Sequence, residues 1–145
     1  MIEIVPAQLE HVIELCEHLR AHEREKFEKF RFAPEKTVTR EVARSILAFA
    51  GLKDGRTGAI WGIKAAPLGD EAYIWLICTT LVEQNPITFL RHSRRVVNDL
   101  RQVFPRLRGH VFCDFEASVR WLRWLGCDVE SPVGELSSFE VSHGT

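Results

Sequence analysis

One segment constrains the fold of this 145-residue chain more than any other, because it reads as a strand, a tight turn and a helix closed by glycine. Apolar residues lead up to Phe112, and helical spacing of apolar residues follows over residues 116–125. Gly126 comes directly after that periodic stretch, where glycine can adopt the left-handed conformation that ends helices. A strand that runs through a short turn into a capped helix predicts a domain in which helices cross over a sheet.

Outside that segment, apolar periodicity and turn residues divide the chain further. Asn85 followed by Pro86 is typical of a helix start, because Asn caps free N–H groups and Pro occupies a position whose N–H needs no partner. Pro34 is expected to end a charged arm, and Thr37 or Thr39 to cap the next helix. The pattern predicts strands at residues 2–5, 57–65, 71–81 and 108–112, one or two closing strands after residue 128, and helices at residues 9–19, 37–49, 86–104 and 116–125.

The predicted strand at residues 71–81 has a distinct composition. Its stretch 72–78 is apolar on both faces, which is typical of a strand in the middle of a sheet that is covered on both sides. A turn at residues 67–70 makes it the second strand of a hairpin, and Gly51 marks the exit of the preceding helix. The order of elements predicts an α/β fold of the mixed, α+β kind, with a central mixed sheet and helices on both faces, in a single domain over residues 1–145.

Composition limits the classes of function. With 46% hydrophobic residues the chain can form one core, and its net charge of −1 gives no overall field for nucleic acid or an anionic membrane. We therefore do not expect nucleic-acid binding except through a local patch. No run approaches the ~20 apolar residues that span a bilayer, and no signal-peptide pattern opens the chain, so we expect a soluble protein, cytoplasmic in the cell that produces it.

The cysteines and histidines favour structural roles over metal binding. The four cysteines form no CxxC pair and lie in apolar surroundings, so we expect reduced core thiols (Cys16, Cys78, Cys113 and Cys127). His18 and His22 have the spacing of a zinc pair on a helix, but His11 lies about 10 Å from His18 along the axis. We expect no metal site.

The chain resembles the GNAT superfamily of acyl-CoA N-acyltransferases. Members often carry Leu-Tyr-Glu-Lys-Leu-Gly-Phe in the closing helix, and here residues 121–127 read Trp-Leu-Arg-Trp-Leu-Gly-Cys in that register. The opening residues 2–7 and the helix that follows also look like the amino terminus of the family. A narrower likeness is to short GNAT-like proteins of short-tailed bacteriophages, of the internal virion protein type. The resemblance implies a GNAT-like fold and a phage or prophage origin.

Three departures from the family pattern bear on function. Catalytic members bind the coenzyme A pyrophosphate with a glycine-rich loop, whereas residues 80–88 contain no glycine, place Glu83 beside the site and lose an N–H at Pro86. Leu122 stands where many members have the tyrosine that protonates the leaving thiolate, and leucine has no proton to give. Phe115 replaces the usual asparagine, whose polar contact only Asp114 could supply.

The candidate site residues follow from the same resemblance. If acetyl-CoA binds, donors near Leu81, Val82 and Gln84 would hold it, and arginines of the basic helix would meet its phosphates (Arg91, Arg94 and Arg95). Glu83 and Asp114 are weak catalytic candidates, and Glu71 and His110 also lie near strand ends. Further arginines at 101, 106 and 108 extend the positive patch, whose alternative reading is a solvated helix face.

Three hypotheses remain open from the sequence. The leading one is a phage-type GNAT-like protein with a degenerate acetyl-CoA site, which acts as a binding or virion-associated module with a virion protein or a second copy as partner. The second is an active N-acyltransferase that uses acetyl-CoA on an unknown amine. The third is binding of nucleic acid or an acidic partner through the arginine-rich helix. Exposure of both Trp121 and Trp124 would indicate a partner surface.

Overall fold

The computed structural model describes residues 1–65 and 71–141. Its strands form one seven-stranded mixed sheet in the order β1-β2-β3-β4-β5-β7-β6. The strands are β1 (Ile2–Pro6), β2 (Leu47–Lys53), β3 (Arg56–Ala65), β4 (Glu71–Cys78), β5 (Arg106–Phe112), β6 (Cys127–Val129) and β7 (Leu136–Val141). The helices are α1 (Leu9–Glu17), α2 (Ala21–Lys29), α3 (Pro34–Arg44), α4 (Thr80–Gln84), α5 (Pro86–Val103) and α6 (Glu116–Trp124).

The chain divides into two compact units, and the first comprises Met1–Lys64 and Leu76–Phe89. In it β2 pairs antiparallel with both β1 and β3, and Asp54 and Gly55 form the turn between β2 and β3 with positive φ angles of 51° and 79°. The buried apolar side chains of this unit come from α1, α3, β3 and the connection between α1 and α2, because each of these helices carries one apolar face and β3 is buried along most of its length. They include Val12, Leu15, Leu19, Val38, Ile60 and Ile63.

The second unit comprises Ala65–Trp75 and Leu90–Thr145. The start of β4 pairs in parallel with β5 from Glu71↔Arg106, and β7 pairs antiparallel with β5 and β6. Gly109 in β5 admits the ring of Phe139, since a Cβ there would lie 2.5 Å from its Cζ and 2.9 Å from a main-chain oxygen. The buried apolar side chains here include Val97, Leu100, Leu107, Leu122, Leu125, Phe139 and Val141.

Several sequence predictions are confirmed. The mixed sheet with helices is present, α5 begins at Pro86, and α6 is followed by Gly126 in the left-handed region at φ 88°. Two closing strands follow α6, as the apolar tail predicted. Among the described residues, no helix combines the length and the apolar character that crossing a membrane requires.

The helix predicted over residues 37–49 was wrong at both ends. Pro34 does not end a region but occupies the first turn of α3, where its fixed φ suits a helix. The helix stops at Arg44, and Ser45 turns to an extended conformation with φ −84° and ψ 143°. The apolar residues that continue the helical spacing belong to β2, and Gly51 lies within that strand against Trp61. A seven-residue strand therefore stands where the sequence predicted the end of a helix and then a short strand or turn.

The reading of β4 was wrong in two respects. Tyr73 and Leu76 are 37% and 36% exposed, so this central strand is not covered on both faces. The strand also ends at Cys78, and the residues read as its continuation form α4. The predicted turn at residues 67–70 lies outside the described residues.

The charged arm and the cysteines also differ in part from expectation. Residues 21–29 form α2, with Phe27 half-buried and Phe30 42% exposed. All four cysteines are free, as expected for reduced thiols. Burial raises the pKa of Cys78 to about 12 and that of Cys127 to about 11, whereas Cys113 is only half-buried and does not belong to the core.

Candidate functional site

Thr79 organises the end of β4. It is fully buried, its N–H donates to Gly58 O at 2.8 Å, and its hydroxyl lies 3.1 Å from Thr57 O and 3.2 Å from Gly58 O. The same hydroxyl accepts the N–H of Leu81 at 3.2 Å and thereby caps α4. One side chain thus joins β3, the end of β4 and the short helix.

The connection between α1 and α2 occupies further main-chain groups at the end of β4. Thr80 N donates to His18 O at 3.0 Å, and Arg20 N donates to Cys78 O at 3.5 Å. Successive N–H groups of an extended chain point to opposite sides, so these groups lie on the side away from the bonds of Thr79 to β3. The chain's own residues therefore satisfy both sides of this segment.

A buried ion pair reinforces that connection. Arg20 Nε donates to Glu23 Oε2 at 2.8 Å, a second bond joins Nη2 to Oε1, and the two side chains are only 13% and 14% exposed. Glu23 Oε1 also accepts Cys78 N at 3.5 Å. Burial alone would lower the pKa of Arg20, but the hydrogen bond to Glu23 outweighs it and, with nearby Cys78 and Glu83, raises the pKa. Contrary to the solvated arm expected from sequence, α2 begins with a buried pair.

Local bonds also use amides of α4 and that of Asn85, the residue that follows it. Val82 N donates to Thr79 O at 3.2 Å, and Asn85 N donates to Val82 O at 3.2 Å. The Asn85 side chain donates to Leu81 O at 3.0 Å, and Pro86 has no N–H. Of the predicted cofactor donors, the Leu81 and Val82 amides are therefore already bonded within the chain.

The other two candidates in this segment are exposed. The side chains of Glu83 and Gln84 both face solvent on α4. Phe89, one turn into α5, lies against Gly58, where a Cβ would come within 2.4 Å of its Cζ. The start of α5 is thus seated on β3 in a place that only glycine leaves open.

The arginine patch predicted from sequence divides into two groups. Arg101 Nη2 donates to Leu125 O at 3.1 Å at the end of α6, and Arg106 and Arg108 lie 3.4 Å and 3.2 Å from Glu71. Glu71 is therefore an ion-pair partner, and the hydrogen bond that Arg108 donates to this carboxylate raises the pKa of Arg108. Three arginines lie instead on exposed positions of α5: Arg91, Arg94 and Arg95.

The residues predicted around α6 have structural positions. Leu122 is 4% exposed and packs in the core, so the position of the family's tyrosine carries only an apolar contact. Phe115 is the residue before α6 and makes no side-chain cap bond. Asp114 is exposed in the turn, and His110 is exposed on β5.

A cleft of about 500 Å³ adjoins α6 on the side of β6 and β7. Two arginines and two glutamates face it, so its charges balance, and Cys113 Sγ lies 3.9 Å from Gly134 O beside it. Its lining comprises Cys113, Glu116, Val119, Arg120, Arg123, Val129, Glu130, Ser131, Pro132 and Ser137.

His11 and Glu14 of α1 accept main-chain hydrogen bonds that stabilise the fold. His11 Nδ1 accepts Gln8 N at 3.0 Å, and Glu14 Oε1 accepts Thr57 N at 2.8 Å. Burial would raise the pKa of Glu14, but the bonds from Thr57 and the nearby His18 and His11 lower it overall. Within residues 1–65 and 71–141, no group of three or more His, Cys, Asp or Glu side chains is placed to hold a metal ion.

Sequence reasoning missed Thr79, Arg20 and Glu23. Thr79 carried a signal, because a threonine just before a short apolar run is a helix-cap pattern, but the run was read as strand. Arg20 and Glu23 have the i, i+3 spacing of a helical ion pair. Nothing local indicated that the pair would be buried against Cys78, 55 residues further along the chain.

The solved structures similar to this chain are acetyltransferases. The PaiA N-acetyltransferase from Thermoplasma acidophilum, solved with coenzyme A, has a TM-score of 0.70 and 16% identity, over 99% of each chain. The ribosomal-protein-S18-alanine N-acetyltransferase from Escherichia coli has a TM-score of 0.67 and 14% identity, over 100% of this chain and 97% of that one. A GNAT-family acetyltransferase from Streptococcus agalactiae has a TM-score of 0.70 and 11% identity, over 99% and 96%.

No protein-family model and no curated protein matches the sequence. The structural likeness extends over the whole chain at low identity. It therefore establishes the fold, whereas the activity has to be argued from the residues of the site.

Proposed function

We propose that this chain, which has the GNAT fold, is a binding module with a degenerate acetyl-CoA site. One observation carries the proposal: most of the amides over residues 79–85 already have partners within the chain. Those of residues 79–82 and 85 are bonded to the chain's own acceptors, and residue 86 is proline.

The energetic argument concerns the cost of freeing those amides. A diphosphate seated here would have to replace several existing bonds, each worth about 1 kcal/mol net and more where a buried group is left unpaired. Thr79 is fully buried, so its partners could not turn to water without local unfolding. The carboxylate of Glu83 would also repel the incoming phosphates. Binding energy would thus be spent on opening the segment.

The positions expected to perform chemistry support the same proposal. Leu122 offers no proton to a leaving thiolate and is held in the core. Glu83 and Asp114 are exposed side chains. A module that binds without turnover needs none of these groups.

The likeness of the sequence to short bacteriophage proteins suggests the setting of the module. We propose a phage or prophage protein that associates with a virion protein or with a second copy of itself. Mass spectrometry of purified particles from the producing cell tests this part, since the chain should be retained in them at constant stoichiometry. Its presence only in the soluble lysate would contradict a virion role.

An active acyltransferase is the second candidate, favoured by the full-length likeness to an acetyltransferase solved with coenzyme A. In that case Gln84 and the exposed arginines of α5 would supply the missing donors, and Glu83 or a water would accept the proton from the amine. The candidate requires that α4 rearrange when acetyl-CoA binds.

Calorimetric titration with acetyl-CoA distinguishes the two candidates. We expect no heat of binding at millimolar ligand, whereas a micromolar dissociation constant would overturn the degenerate site. The variant Glu83→Gln removes the negative charge and leaves the bonded amides in place. Because the bonded amides are the proposed cause, E83Q should also fail to bind; gain of binding in E83Q would assign the effect to charge alone.

A further inference from the structure

The outer surface of α5 and α6 carries four arginines around one exposed tryptophan. We call it the cationic face, and its residues are Arg91, Arg94, Arg95, Arg120 and Trp124. All five belong to the second unit and are exposed. The net charge of the whole chain is −1, so these positive charges form only a local field, and Arg120 at its margin also lines the cleft that Glu116 and Glu130 share.

Helix geometry puts these residues on a common side. Arg91 and Arg95 are four residues apart on α5, and Arg120 and Trp124 are four apart on α6, so each pair lies on one stripe. Contact between the Arg94 and Trp124 side chains joins the two stripes. The exposed Asp99 follows Arg95 by one turn and bounds the face on that side.

The face is held in a fixed arrangement. The Arg94 guanidinium carbon lies 3.7 Å from the centroid of the Trp124 ring, and its Nη2 is 3.5 Å from Trp124 O. One turn earlier, Trp121 Nε1 donates to Ser93 Oγ at 3.1 Å and fixes α6 against α5. Trp124 is nevertheless 45% exposed, so the stacked arginine leaves part of the indole open to solvent.

Charge pairing separates this face from Arg101, Arg106 and Arg108 of the same unit. Arg101, Arg106 and Arg108 have carbonyl or carboxylate partners. By contrast, Arg91, Arg95 and Arg120 have no ion-pair or hydrogen-bond partner in the part of the chain that the structure describes. Their forked donors remain available for an anionic ligand.

We propose that the cationic face binds single-stranded nucleic acid. Guanidinium groups bind phosphates along a strand, and an exposed aromatic ring beside them stacks with a base. The indole favours this ligand over an acidic peptide, because carboxylates need the positive charges but not the ring. A duplex, whose bases are already stacked, also leaves the ring unused. The proposal is independent of acetyl-CoA binding.

Fluorescence anisotropy with a labelled thymidine 20-mer tests the proposal. We expect the logarithm of the binding constant to fall with the logarithm of salt concentration with a slope of about −3, from about −0.7 for each of four phosphate contacts. Arg91→Ala with Arg95→Ala should reduce that slope by about 1.4. The matched control is Arg40→Ala with Arg44→Ala on α3, two exposed arginines of the other unit, which should leave the slope unchanged.

The tryptophan supplies a second and independent readout. Trp124→Ala should weaken binding by about tenfold, since stacking of a base is lost, while Trp124→Phe should retain most of it. Thermal unfolding of each variant establishes that it is folded before binding is measured.

Three results would overturn the proposal. The first is no binding of the 20-mer at low salt. The second is equal loss in the R91A/R95A and R40A/R44A variants, which would indicate non-specific attraction. The third is tighter binding of labelled polyglutamate than of the 20-mer with no effect of W124A, which would assign the face to an acidic protein partner.

Discussion

The end of β4 and the cationic face differ in whether their polar groups have partners within the chain. At the end of β4, the amides of residues 78–82 are bonded to the chain's own oxygens, and a buried Arg20–Glu23 pair lies beside them. On the cationic face, Arg94 contacts the half-open indole and the main chain of Trp124, and the other guanidinium groups have no partner among the described residues. Groups satisfied internally hold a fold together, whereas preformed and unsatisfied groups are available to a ligand. We therefore expect a ligand to bind to the cationic face rather than at the end of β4.

The largest expected effect comes from breaking the buried pair. Glu23→Ala removes the carboxylate that pairs with the buried Arg20 and accepts Cys78 N, so the free energy of unfolding should fall by about 3 kcal/mol. Urea denaturation measures it. The matched control is Glu28→Ala, an exposed glutamate of the same helix, which should change stability by less than about 0.5 kcal/mol. Equal effects of the two substitutions would mean that the pair contributes nothing specific.

Removing the side-chain cap of α4 should lower the free energy of unfolding by a smaller amount. Thr79→Val keeps the volume but leaves Leu81 N and the carbonyls of β3 without their hydroxyl partner, which should cost about 2 kcal/mol. Thr79→Ser keeps the hydroxyl and should lose less than half as much. If valine and serine are equally tolerated in urea denaturation, the hydroxyl does not organise this end of β4.

Disturbing the contact between Gly58 of β3 and Phe89 of α5 should lower the free energy of unfolding by about 1.5 kcal/mol. Gly58→Ala places a methyl group 2.4 Å from Phe89 Cζ, so the ring must move from its position. Adding Phe89→Leu, which shortens the side chain, to Gly58→Ala should recover at least half of the stability that G58A loses alone. A double-mutant cycle with no coupling between the two positions would contradict the contact.

Glu14→Gln should cost about 1 kcal/mol at neutral pH, because the carboxylate accepts a main-chain N–H of Thr57. The pKa of Glu14 is lowered in the folded protein from 4.5, so its stabilisation is present above that pH and is lost as the pH falls through and below it. Thermal unfolding from pH 7 to pH 3 should therefore show the difference between wild type and E14Q closing with acid. A difference that is constant with pH would assign the effect to packing.

The smallest effect on stability should come from the cationic face. Arg91→Ala with Arg95→Ala removes two exposed charges without partners, so the free energy of unfolding should change by less than about 0.5 kcal/mol while oligonucleotide binding weakens. A loss above about 2 kcal/mol would show that these arginines serve the fold, and the contrast with the end of β4 would fail.

Sequence analysis succeeded where the signal was local. Asn85, Pro86 and Gly126 lie at helix ends, where capping and backbone preferences act over a few residues. The boundary of α3 failed, because apolar residues of β2 happen to continue its helical spacing and Ser45 gave no strong stop. α4 failed because its apolar residues read equally well as the end of a strand.

The site was harder to foresee because it depends on contacts between distant segments. Glu23 meets Cys78 and Thr79 meets Thr57, and no periodicity of either segment carries that information. The charge of Arg20 and Glu23 pointed to solvent, whereas tertiary packing buried the two as a pair. The sequence did show that residues 80–88 contain no glycine. The proposed loss of coenzyme binding follows from that observation.

The strands at the two margins of the sheet have a consequence for the behaviour of concentrated protein. β1 ends at Pro6, which cannot donate a ladder hydrogen bond, and β6 is only three residues long. Neither offers a long, regular template on which another molecule could add a strand, which is the route by which exposed margins nucleate fibrils. Any self-association of this protein should therefore proceed through side chains on its helices and remain reversible on dilution.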